Sequence, residues 1–116
     1  MARTAVLPDP LKRRHLLEDK LDPAKALAIA DLYLEEGRTN EALAFLVKAE
    51  ARDRLEEMRD RAVEDGDPFL LRQTCEALRE EPGAERWRAT AQAARAAGRE
   101  AQANDAERQA HLHPDD

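Results

Sequence analysis

The sequence predicts an all-α protein: an array of about three antiparallel helical hairpins, right-handed, with an extra helix at its N-terminal end. Two observations carry that expectation. The first is composition. The 116 residues include 23 Ala and 15 Leu but only 4 Val and Ile together. A sheet interior draws on β-branched and aromatic side chains, so sandwiches, barrels and parallel α/β folds are excluded in practice. Charged residues make up 38% and only 4 residues are Gly, which is the make-up of solvated helices. The second is punctuation. Gly37, Gly66 and Gly98 are spaced 29 and 32 residues apart, and each separates two stretches of helical periodicity. Helix–turn–helix units at a near-fixed period of about 34 residues mark a helical-repeat array. Leu, Ile, Val and Phe together supply 21 residues, about 18% of the chain, under the rough 20% line associated with disorder. Ala-faced helices pack closely without large side chains, so a modest core is expected rather than none.

The elements follow in order. Residues 1–9 show no periodicity and read as a flexible N-terminus. Asp9-Pro10 is an N-cap followed by proline at the first helical position, and it starts a short capping helix over 10–21 that presents Leu16, Leu17 and Leu21. Asp22-Pro23 repeats the signal and opens the repeat domain, 22–113. There Ala26, Ile29, Ala30 and Tyr33 share one face, and Gly37 stops the helix. Thr39 can cap the next helix, which carries Ala42, Leu46 and Ala49. The run from Asn40 to Asp65 has neither Gly nor Pro. A break near Ala51–Asp53 is expected, because Asp53 and Glu56 have capping-box spacing. Leu55, Met58 and Ala62 then form a new face. Asp67-Pro68 starts a helix with Leu71, Cys75 and Leu78 inward, and Pro82-Gly83 ends it. Trp87, Ala91 and Ala94 form a further face closed by Gly98. The last helix runs from about Glu100 to His111, with Ala103 and Ala110 inward. Pro114 ends it, leaving 114–116 as a tail.

Aligned on their glycines, the units read Ala26, Ile29, Ala30, Tyr33, Gly37, Ala42, Leu46, Ala49; then Leu55, Met58, Arg59, Ala62, Gly66, Leu71, Cys75, Leu78; then Trp87, Thr90, Ala91, Ala94, Gly98, Ala103, Glu107, Ala110. This pattern resembles the tetratricopeptide repeat over roughly residues 22–115. The first unit matches best, the third keeps Trp87 and its small residues, and the second departs at Arg59, where a small residue is usual. Glu107 stands where an inner repeat would bury an aromatic residue, as a polar-faced terminal unit requires.

The chemistry-bearing residue types do not assemble into a catalytic pattern. There is no Gly-rich phosphate loop, no Ser/His pairing and no CxxC. His111 and His113, two apart, cannot chelate one metal from a helix. Cys75 reads as a core thiol, and as the sole cysteine it suits a reducing compartment, with the cytoplasm expected. No cofactor, no metal and no enzymatic activity are expected. With 19 basic against 25 acidic residues the net charge is −6, which disfavours nucleic acid as a partner. No apolar stretch reaches the length of a membrane span.

The expected function is therefore a surface. The resemblance implies that the first helix of each pair lines a concave groove for an extended protein or peptide segment. Its partner-binding positions would be Asp31 and Glu35, with Leu27 and Leu34, in the first unit; Glu56, Asp60 and Glu64, with Val63, in the second; and Arg88 and Arg95, with Gln92, in the third. Such a groove would be acidic over two repeats and basic at one end, suited to a basic partner. Cochaperones of this family clamp a terminal carboxylate with Lys and Asn; Asp31 and Asp60 would repel one. The alternative is a self-associating structural protein, a homodimer through the Ala-rich C-terminal hairpin.

Overall fold

The computed structural model describes residues 7–18 and 20–113. Among them it contains seven helices and no strand: α1 (Pro10–Glu18), α2 (Pro23–Glu35), α3 (Thr39–Lys48), α4 (Arg52–Asp65), α5 (Pro68–Leu78), α6 (Ala84–Ala96) and α7 (Glu100–Leu112). None of these is long and apolar enough to cross a membrane. The chain divides into two units, Met1–Arg54 and Leu55–Asp116. Residues 1–6, most of the expected N-terminal segment, and the 114–116 tail lie outside the described residues.

The start signals operate unequally. Asp67 caps α5 as its position suggests, accepting from the Leu70 backbone N–H at 3.0 Å. Asp9 accepts from the Lys12 N–H at 2.8 Å. Asp22 makes no side-chain cap bond, so proline at the next position starts α2 without one. Thr39 and Asp53 do not cap either: α3 already begins at Thr39 and α4 at Arg52.

The break in the Gly-free run is real, but its cause is a C-cap rather than the expected capping box. Glu50 adopts φ 54. Its N–H donates to the Val47 carbonyl at 3.0 Å and the next N–H donates to Leu46 at 3.1 Å. This double closure over a left-handed residue satisfies carbonyls that a helix end leaves open. The same pair of bonds recurs at Gly37, Gly66, Arg79 and Gly98. Glycine thus closes α2, α4 and α6, while a charged residue closes α3 and α5.

In the first unit α2 and α3 pack side by side across the Gly37 turn. Their core is Ala26, Ala30 and Tyr33 against Ala42, Phe45 and Leu46, all fully buried. The Tyr33 and Phe45 rings stack at 5.7 Å between centroids, and the Arg38 guanidinium lies over the Tyr33 ring, 5.1 Å from its centroid. Ile29 and Ala49, expected inside, are half-buried. α1 stops at Glu18, short of the expected span, and buries no residue. It is held beside α3 by Lys48, whose Nζ donates to the Leu17 carbonyl at 2.9 Å. Just before it, Pro8 accepts from the Tyr33 hydroxyl at 3.3 Å.

In the second unit Ala62, Leu71, Cys75, Ala84, Trp87, Ala91, Ala106 and Ala110 form one cluster drawn from α4 to α7. α6 and α7 pack along each other, and α5 touches both. The Arg72 guanidinium lies 5.5 Å from the Trp87 ring. The buried pattern follows the glycines in both units. Tyr33, Ala62 and Ala94 lie four residues before them, and Ala42, Leu71 and Ala103 lie five after; all are fully buried. One position escapes the sequence alignment: Phe45, Thr74 and Ala106, eight residues past each glycine, are fully buried too.

Candidate functional site

The seven expected contact residues fall on three helices. Asp31 and Glu35 are four apart on α2, in the first unit. Asp31 is already engaged, accepting from Arg54 Nη2 at 2.5 Å across a partly exposed ion pair. Glu56, Asp60 and Glu64 sit at i, i+4 and i+8 on α4 in the second unit, so they share one helical face. Glu56 is half-buried, while Asp60 and Glu64 are exposed. Asp60 accepts from Arg59 Nε at 3.0 Å.

Arg59, at the position where the resemblance implied a small residue, makes a partly buried ion pair. Its side chain is 12% exposed, and Nη1 reaches Glu80 at 2.6 Å. Burial alone would pull this guanidinium down; bonds to Glu80 and Asp60 outweigh that and hold it above its ordinary value.

Arg88 and Arg95 are exposed on α6, and Arg95 is not the free cation that the groove reading requires. It bonds Glu107 and meets Glu100 at 3.6 Å, both on α7. It also donates to the Asn104 side-chain oxygen at 3.2 Å. The bond to Glu107 is the main cause of its raised pKa. Arg88 and Gln92 line a recess of about 290 Å³ together with Glu107, Ala110 and His111 of α7. In the Ala-rich C-terminal hairpin, Ala91, Ala94, Ala103 and Ala106 are buried within the chain, while Ala89, Ala96, Ala97 and Ala101 are exposed.

A larger recess, about 540 Å³, opens on the second unit. Val63 of α4 lines one side. Glu81, Pro82 and Gly83 of the α5–α6 turn, and Glu85, Arg86 and Ala89 of α6, line the rest. Arg86 is turned back onto its own turn, donating to the Pro82 carbonyl at 3.2 Å. Of its apolar lining, Ala89 is exposed, Val63 is half-buried and Pro82 is buried; Glu81 and Glu85 are exposed, and Asp60 lies one helical turn before Val63. Val63 and Asp60 were both expected on the groove; Val63 lines this recess and Asp60 does not, while Glu81 and Glu85 were not foreseen. Their signal was the Glu80-Glu81-Pro82-Gly83 turn, read only as a stop.

Charge sharpens the contrast between units. The first carries ten basic and ten acidic side chains. The second carries nine arginines against fifteen carboxylates, and so holds the whole net charge of −6. The remaining nucleophile is silent: burial, then the charge of Glu80, pushes the Cys75 thiol up to about 11, so at neutral pH it stays protonated and unreactive. Compared with known proteins, the chain matches no family model, no curated protein and no solved structure.

Proposed function

We propose that this chain is a non-enzymatic protein-interaction module, built from tetratricopeptide-like hairpins, that takes a basic segment of a protein partner on an acidic groove. The observation that carries the reading is the recess beside Val63. Exposed Ala89 and half-buried Val63 line it together with the exposed carboxylates of Glu81 and Glu85, on the unit that holds all the net negative charge. Carboxylates gathered around an apolar patch repel one another, and a Lys- or Arg-bearing segment relieves that repulsion while covering the patch. The hairpin reading is supported by burial that keeps step with all three turn glycines, Gly37, Gly66 and Gly98. The net acidity supports a protein rather than nucleic acid as partner, and the sole, buried, protonated cysteine suits the reducing cytoplasm.

The test is charge reversal. Asp60→Lys with Glu64→Lys changes two exposed side chains on the α4 face. The double variant is expected to keep its helical circular dichroism and melting temperature while binding to a Lys/Arg-rich peptide falls at least about tenfold at low salt. Undiminished binding in a folded double variant would remove the α4 face from the site.

A further inference from the structure

Resting on the recess reading above, we infer that one occupant of the recess beside Val63 is α1 of a second copy of this chain. α1 is the least anchored helix described: it buries none of its residues. Its outward side carries Leu11, 64% exposed, together with Lys12, Arg14 and His15, also exposed. The recess presents the complement: exposed Ala89 beside half-buried Val63, lined also by Glu81 and Glu85, with Arg86 as its one lining cation among the described residues, bonded to the Pro82 carbonyl.

The charge pattern of the whole chain supports the match. All four lysines lie before residue 49, in the neutral first unit, and the second unit holds the net −6. Leu11 would cover Ala89 and Val63. Lys12 and Arg14 would meet the two glutamates. Arg14 currently pairs with Glu18 in a surface bridge whose partners are 76% and 60% exposed, the kind of contact that contributes little and exchanges readily. Because the two contacting surfaces differ, the association is heterologous, and it either closes into a ring or continues as a chain.

The experiment uses three full-length forms in sedimentation runs at about 100 μM and about 50 mM salt, where surface charges are weakly screened. One variant carries Lys12→Glu with Arg14→Glu, the other Glu81→Lys with Glu85→Lys. The wild type is expected to run heavier than a monomer and to return to monomer at about 500 mM salt. Each variant alone is expected to be monomeric. Mixed together they are expected to associate again, since the reversed helix of one fits the reversed recess of the other. A monomeric wild type, or variants that associate alone as the wild type does, would overturn the inference; so would a mixture that stays monomeric while both variants retain their helical circular dichroism. A fluorescent peptide bearing one Leu flanked by Lys and Arg, titrated into the wild type, separates the two readings. If it binds and the chain does not self-associate, the recess stands and α1 is not its occupant; if it fails as well, the recess reading falls too.

Discussion

The two units bury the same repeat positions with different chemistry. Eight residues past its turn glycine, the first unit buries Phe45 against Tyr33, while the second buries Thr74 and Ala106 at the equivalent places. The first unit gains stability from stacked rings. The second gains it from close approach: Gly66 lies so near α6 that a Cβ there would sit 2.4 Å from the Ala94 backbone nitrogen. Burial therefore keeps the same spacing from each of these glycines, and the spacing of the helices decides how large each buried residue is.

That contrast can be broken most forcefully at Phe45. Phe45→Ala should destabilise the chain by about 4 kcal/mol, the cost of emptying a fully buried aromatic site. Thr74→Ala at the equivalent position should cost only about 1 kcal/mol, since it removes little volume and a hydroxyl bonded within its own helix. Urea midpoints measure both. Equal losses would show that the two cores are not built differently.

The glycines give the next largest difference. Gly66→Ala combines left-handed strain with displacement of α6 and should cost about 3 kcal/mol. Gly37, at φ 72 with nothing near its missing Cβ, should lose only about 1 kcal/mol as Ala. Arg59→Ala should fall between them at about 2 kcal/mol, because it strips Glu80 of a close charged partner. Thermal denaturation ranks the three, and a Gly37 variant as damaged as the Gly66 variant would contradict the close-approach account.

The smallest effects have the opposite sign. Glu50 and Arg79 hold the left-handed C-cap that glycine holds elsewhere. Glu50→Gly or Arg79→Gly should raise stability by about 0.5 kcal/mol, as relief of αL strain outweighs the added freedom of the unfolded chain.

Those two residues also show where the sequence is silent. Every helix was legible from Asp-Pro starts, glycine stops and apolar spacing, because these are local signals. The end of α3 at Glu50 was not: a left-handed Glu looks like any other Glu, and the visible Asp53–Glu56 spacing led instead to a capping box that does not form. The inward position of Phe45 was blurred by Leu46 beside it, since both are buried. In the surface reading, Asp31 and Arg95 fared worst as free charges. Their partners Arg54 and Glu107 lie 23 and 12 residues away, on other helices, and only packing reveals such pairs. Val63 was named through the resemblance; Glu81 was hidden in the turn before α6, and Glu85 in the first turn of α6.

The most direct test of the central claim maps a basic peptide onto the protein by amide chemical shifts. The recess account predicts that titration moves the Val63, Gly83, Glu85 and Ala89 signals together, and that the movement disappears as salt screens the contact over about 10 Å at 0.1 M. Shifts centred instead on Asp31 and Glu35, on the Arg88–Gln92–His111 recess, or spread evenly over every acidic helix would contradict it.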